Sequence, residues 1–233
     1  MAEESESSMS KLLSGLGGIF TKVRDWIVSR SGLEDFMGET KQKKVPKHAL
    51  NPVYCLGGVT FVALVVLGLT GLYLAGLYRP TVLEAQQSIQ QISDVPFGFY
   101  MKSIHSWAAN LTIIAILLHT LRVFITGSYK KPREFTWLSG VILLVLTFSF
   151  VLTGYILPMD ERADVTRETL SGVLGGVKDI PLLGDVFGWL AGGAQEALTG
   201  AYWLHVTLLP LGGALFLVFH FYMIRKHGIS GPL

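Results

Sequence analysis

Charged side chains are scarce in these 233 residues. Asp, Glu, Lys and Arg make up 15% of the sequence, against about 25% in an ordinary soluble domain. With half of the residues hydrophobic and a mean hydropathy of +0.48, that deficit excludes a water-soluble globular protein and points to a lipid bilayer. Neither sign of charge is in excess: 19 basic against 17 acidic side chains leave +2, so bulk electrostatics give no nucleic-acid partner. Cysteine is almost absent. Cys55 alone rules out an internal disulfide framework, a Cys-x-x-Cys redox pair and a thiolate-ligated iron–sulfur cluster. It leaves one thiol whose presence needs a reason. The first fifty residues start Met-Ala-Glu-Glu-Ser-Glu and lack a long apolar core beside a cleavage site, which argues against a removable secretory signal.

Long hydrophobic runs are abundant. Stretches free of Lys, Arg, Asp and Glu cover His48–Tyr78 (31 residues), Ser103–Leu121 (19), Phe135–Met159 (25) and Ala197–Ile224 (28). Each is long enough to span, since a transmembrane helix needs about 20 mostly apolar residues. The expected fold is all-α: an integral membrane four-helix bundle with helix A near residues 54–78, B near 103–125, C near 135–157 and D near 201–224. An even number of spans puts both termini on one side of the membrane. Two domains are expected, an N-terminal extension over 1–45 and a four-helix domain over 46–233. In the extension, Leu12, Leu13, Leu16, Ile19, Phe20, Val23, Trp26 and Ile27 recur at spacings of three and four, which suggests an amphipathic helix on the membrane surface. A docking helix against a neighbouring subunit fits the same pattern.

Basic residues cluster at Lys41, Lys43, Lys44 and Lys47 before A, at Lys130, Lys131 and Arg133 between B and C, and at Arg225 and Lys226 after D. By the positive-inside rule these clusters mark the cytoplasmic (n) side. The A–B connection and the long C–D connection, roughly 158–200, then lie on the opposite (p) side. Ile180-Pro181-Leu182-Leu183-Gly184 and Val186-Phe187-Gly188-Trp189-Leu190 in the latter are too short to span and read as interfacial helices.

Four of the six histidines lie within two helices: His105 and His119 on B, His205 and His220 on D. Ionisable residues at that depth are expensive and usually functional. The B pair is 14 residues apart, which is about 40° short of four full turns and about 21 Å of rise. The two rings therefore look out from one face at two depths. The D pair is 15 apart with Pro210, Gly212 and Gly213 between them, and a proline bend could absorb the extra residue. Because B and D run in the same direction, His105 lies level with His205 and His119 with His220. Two pairs of facing imidazoles suit two bis-histidine haem irons in a bundle core, with the four histidines as axial ligands. Gly57 and Gly71 on A, and Gly140 and Gly154 on C, repeat the interval of 14. Glycine lets a bulky group approach the backbone, so these positions would clear room for two macrocycles.

The sequence resembles the cytochrome b/b6 family over roughly residues 45–233. The resemblance rests on Tyr54-Cys55-Leu56-Gly57-Gly58, Tyr78-Arg79-Pro80-Thr81, the two histidine spacings, Lys130-Lys131-Pro132-Arg133-Glu134, Thr153-Gly154-Tyr155 and the ending Ile224-Arg225-Lys226-His227-Gly228-Ile229-Ser230-Gly231-Pro232-Leu233. It implies two haem b groups, a low-potential one on His105 and His205 and a higher-potential one on His119 and His220. It also implies a covalent c-type haem on Cys55, placed on the n side against the deeper b haem; a buried, inert thiol is the alternative. Haem propionates need cationic partners, for which Lys102 and Arg79 are candidates on the p side and Arg122 and Arg133 on the n side. All four could equally be snorkelling interfacial residues.

The function implied is electron transfer from a quinol site on the p side to a quinone site on the n side, coupled to proton translocation. The implied partners are a Rieske iron–sulfur protein, a c-type cytochrome, and a subunit IV-like chain that carries the remaining helices of a long cytochrome b, all in a dimeric complex. The chain alone is expected not to oxidise quinol. The membrane would be a bacterial plasma membrane or a thylakoid. Two residues depart from the family pattern: Ser106 stands where an arginine is usual, and Met159 replaces the tryptophan of a Pro-Trp-Asp. A di-haem anchor of a hydrogenase or another dehydrogenase is the alternative from the same class. A cofactor-free transporter that relays protons through histidine is the alternative from another.

Overall fold

The computed structural model describes residues 51–174, 176, 181 and 188–229, together with 18, 21, 22 and 25. The chain divides into two units, Met1–Pro46 and Lys47–Leu233. The expected surface helix lies outside the described residues except for Gly18, Thr21, Lys22 and Asp25, which are helical. The described residues contain helices and no strand.

Four helices are long and apolar enough to cross a membrane, covering Val53–Ala75, Pro96–Ile125, Glu134–Ile156 and Ala194–His227. The first, α1 (Pro52–Ala75), opens with Pro52 at a position where a missing N–H costs nothing, and Asn51 caps it by accepting the Val53 N–H at 3.0 Å. A short helix α2 (Ala85–Asp94) follows, burying Ala85, Ser88 and Ile92 at spacings of three and four. α3 (Pro96–Ile125) starts seven residues before the expected boundary at 103. The charge of Lys102 suggested a helix end, but its ammonium donates to Ser93 at 2.5 Å, so the helix continues past it. α4 (Glu134–Ile156) matches the expected third span, and α5 (Glu161–Leu174) lies in the connection that follows. Asp160 begins α5 by accepting the Ala163 N–H at 3.0 Å.

The last span is built in three parts: α6 (Ala194–Trp203), a π-helical turn (Leu204–Leu208) and α7 (Leu209–His227). Here the expected mechanism needs correction. The extra residue between His205 and His220 is taken up by the π turn, where the Leu209 N–H donates to the Leu204 carbonyl five residues back, ahead of the expected bend at Pro210, Gly212 and Gly213. A π turn inserts one residue without breaking the helix. Of the two expected interfacial segments, 180–184 lies outside the described residues apart from Pro181, while Gly188–Ala191 forms a 3-10 turn.

α1 packs along α3, and α4 along α7. Phe61 of α1 meets Phe221 of α7 edge to face with centroids 5.1 Å apart. Many buried positions of the spans are small, Thr60, Ala63 and Thr70 on α1, Ala108, Thr112 and Ala115 on α3, and Ser139, Thr147 and Thr153 on α4, beside the larger Ile116, Ile156, Leu209 and Met223. Leu69, Leu72, Leu215 and Val218 are about two-thirds exposed or more, as lipid-facing residues should be. Beyond the end of α1 the connections brace one another. The Tyr78 hydroxyl donates to the Leu157 carbonyl at 2.5 Å, Gln86 donates to the Met159 carbonyl at 3.0 Å, and Gln195 bridges the Pro80 carbonyl and the Val82 N–H at 3.0 and 2.9 Å.

Candidate functional site

The four intramembrane histidines meet in two pairs, one at each end of the bundle. His105 on α3 and His205 in the π turn face each other with ring centroids 6.4 Å apart and planes at 61°. At the end that holds Cys55, His119 on α3 and His220 on α7 lie within electrostatic reach of each other.

Each ring is seated against a glycine of a neighbouring helix. A Cβ on Gly71 would lie 3.1 Å from Cε1 of His105, and one on Gly154 3.0 Å from Cε1 of His205. At the other end, a Cβ on Gly57 would lie 3.0 Å from Cε1 of His119 and one on Gly140 3.3 Å from Cε1 of His220. The structure sets the edge of an imidazole against each of these four glycines.

Three hydroxyls, outside the residues expected from the sequence, fix the proton on three of these rings. Thr70 Oγ1 lies 2.9 Å from His105 Nδ1, Thr153 Oγ1 3.0 Å from His205 Nδ1, and Ser139 Oγ 2.9 Å from His220 Nδ1. Each hydroxyl already donates its one proton to a carbonyl of its own helix: Thr70 to Val66 at 2.7 Å, Thr153 to Ser149 at 2.7 Å, Ser139 to Thr136 at 2.9 Å. It can therefore only accept from the ring, which makes Nδ1 the protonated nitrogen and leaves Nε2 with a free lone pair. The available signal was a Thr or Ser immediately before a glycine of the 14-residue interval.

This geometry suits a six-coordinate metal held between two imidazoles. Two metal–nitrogen bonds of about 2 Å each, plus about 1 Å from each nitrogen to its ring centre, give roughly 6 Å between centroids, close to the 6.4 Å between His105 and His205. Among the described residues no group of three or more His, Cys, Asp or Glu gathers to hold a bare ion. A group that brings its own further ligands could be held by such a pair of imidazoles.

Comparison with known proteins decides which group. Residues 40–228 match the family described as cytochrome b/b6/petB. The chain belongs to the cytochrome b/b6 family. It is 44% identical over 218 residues to the cytochrome b6 of Synechococcus sp. (strain JA-3-3Ab) and to that of Porphyra purpurea, with 91% of this chain and all of each relative aligned. The cytochrome b6 of Euglena gracilis is 42% identical over the same length. Among solved structures, a chain of a hyperthermophilic respiratory complex III superposes with a TM-score of 0.72 at 26% identity, covering 89% of this chain and 56% of that one. The family implies b haems and electron transport, and the four apolar helices make this cytochrome b a multi-pass membrane protein.

The other candidate residues of this cytochrome b fall into two groups. Cys55 is half-buried in the first turn of α1, two residues before the glycine that seats His119. Arg122 lies one turn beyond His119 and shares its electrostatic surroundings; its guanidinium sits 4.2 Å over the Tyr54 ring, and its buried Nε has no hydrogen-bond partner. Arg133 donates to the Gly228 carbonyl at 3.3 Å. Arg79 and Lys102 are engaged within the α1–α3 connection, Arg79 with Glu84 at 2.9 Å and Lys102 with Ser93. Hydrogen bonding to Arg79 holds the Glu84 carboxyl below the usual carboxylate range. Burial pushes the Tyr78 phenol up, with the stacked Tyr202 ring 5.8 Å away adding to the shift. Met159, one of the two departures from the family pattern, adopts φ +52°, and its carbonyl is the one held by Gln86.

Proposed function

We propose that this cytochrome b is the transmembrane electron conductor of a quinol-oxidising bc-type complex. In this reading His105 and His205 would hold one b haem, and His119 and His220 a second. The observation that carries it is the 6.4 Å separation of His105 and His205, with each Nδ1 turned to a hydroxyl of a neighbouring helix. When bound, haem supplies a one-electron couple at each depth. The protein's part is to point Nε2 inward, to hold the Nδ1 proton on three of the rings, and to keep water out with its apolar, lipid-facing surface.

The basic loop Lys130-Lys131-Pro132-Arg133 and the pair Arg225 and Lys226 sit at the Cys55 end, which supports that end as the n side. Quinol oxidation then belongs at the Tyr78 end. One electron of each quinol goes to a Rieske iron–sulfur protein and a c-type cytochrome, and the other crosses this chain to a quinone, with protons released on p and taken up on n. The n-side placement of Cys55 beside the His119 seat supports a covalent c-type haem there, with Arg122 as a partner for a haem carboxylate. Alignment over the whole length of the cytochrome b6 relatives supports a b6-type subunit of a larger complex, with a subunit IV-like chain among its partners.

Reduced-minus-oxidised spectra of the intact complex test the assignment. His205→Ala is expected to remove the haem at the Tyr78 end and His220→Ala the one at the Cys55 end, each taking about half of the b-type absorbance. Full absorbance in either variant would overturn it.

A further inference from the structure

The seat of each imidazole has two parts, and the second is missing once. The residue before the seating glycine is Thr70 at Gly71, Thr153 at Gly154 and Ser139 at Gly140, and each of these hydroxyls reaches the Nδ1 edge of the ring it flanks. At Gly57, which seats His119, that residue is Leu56. Leucine has the place but no atom that can accept a proton.

We infer that Thr70, Thr153 and Ser139 are positioning residues that set the donor strength of their histidines, and that Leu56 makes the Cys55-end pair electronically unlike the Tyr78-end pair. The inference rests on the haem reading above. An acceptor on Nδ1–H draws the ring toward imidazolate and makes Nε2 more basic. A more basic axial nitrogen favours the oxidised over the reduced iron and so lowers the midpoint potential. Both ligands at the Tyr78 end carry such an acceptor, whereas at the Cys55 end only His220 has a hydroxyl in that place. This difference acts to raise the potential of the Cys55-end site relative to the Tyr78-end site, the direction that electron flow from the Tyr78 end requires. Arg122 beside His119 acts in the same direction, because a cation disfavours the ferric charge. A test must therefore change the hydroxyls alone.

The experiment is a redox titration of the b-haem absorbance in the intact complex. Thr153→Val, which keeps the shape and deletes the hydroxyl, is expected to raise the midpoint potential of the Tyr78-end haem. Thr153→Ser is expected to leave it at the parent value. Leu56→Thr, or the smaller Leu56→Ser, is expected to lower the potential of the Cys55-end haem. Loss of the haem in Thr153→Val with retention in Thr153→Ser would also support the positioning role, because the two differ in the hydroxyl that the ring needs. Parent potentials in Thr153→Val at full haem content, equal shifts in the Val and Ser variants, or an unmoved Cys55-end potential in a haem-replete Leu56 variant would overturn it. An unmodified complex without b haem would overturn the site assignment instead.

Discussion

Gly154 and His205 come from different helices, yet a Cβ on the glycine would sit 3.0 Å from Cε1 of the imidazole. That spacing is tighter than ordinary side-chain contact, and the ring it presses on is also tied at Nδ1 to Thr153 at 3.0 Å. A ring held at two edges cannot step aside, so the glycine and the hydroxyl together set where the His205 ring points.

Gly154→Ala is therefore expected to displace the His205 ring and weaken haem retention at the Tyr78 end, with overpacking of about 1–3 kcal/mol. Gly140→Ala, where the Cβ would have 3.3 Å, should be milder than Gly154→Ala or Gly57→Ala at 3.0 Å. Haem content and thermal stability of the three variants check the ranking, and equal effects would show that ring contact is not what matters.

Cys55→Ser should remove haem that survives acid–acetone extraction while leaving the two b haems in place. The thiol stands in the first turn of α1, and none of the four ring seats includes it. Haem staining of the chain on a denaturing gel reads the outcome, and a stain that persists in the variant would place the covalent bond elsewhere.

Tyr78→Phe should loosen the junction between the α1–α3 connection and the end of α4. It leaves the Leu157 carbonyl without its phenol donor, at about 1–3 kcal/mol. Burial holds the phenol's folded pKa above its unfolded one, so its contribution is fully present below the ordinary value of about 10 and is lost as pH rises through the folded value. The stability difference between parent and variant should thus stay flat from about pH 6 to about pH 9. A difference that shrinks across that window would contradict the buried, donating phenol.

The spans and the histidine pairs were legible in the sequence because both are periodic. Lipid demands long apolar runs, and two histidines on one face at two depths of a span stand about four turns apart. The cytochrome b/b6 resemblance was likewise on the surface of the sequence, and the comparisons bear it out. What escaped was set by contacts between segments far apart in the chain. Thr70, Ser139 and Thr153 look like ordinary membrane-helix hydroxyls bonded to their own carbonyls until the facing ring is in view. The π turn at Leu204–Leu208 leaves no composition signal beyond a one-residue excess, which proline and glycine offered to explain equally well. α2 is too polar and short to read as a helix alone, and Gln86 and Gln195 gain meaning from the carbonyls they reach.

The most direct test of the two-site account is a pyridine haemochrome spectrum of the purified complex, referred to the amount of this chain. The account predicts about two b haems per chain together with one covalently bound c-type haem. Two b haems and no c-type haem would keep both histidine pairs and reduce Cys55 to a packing residue, whereas folded complex without b haem would contradict the account at its centre.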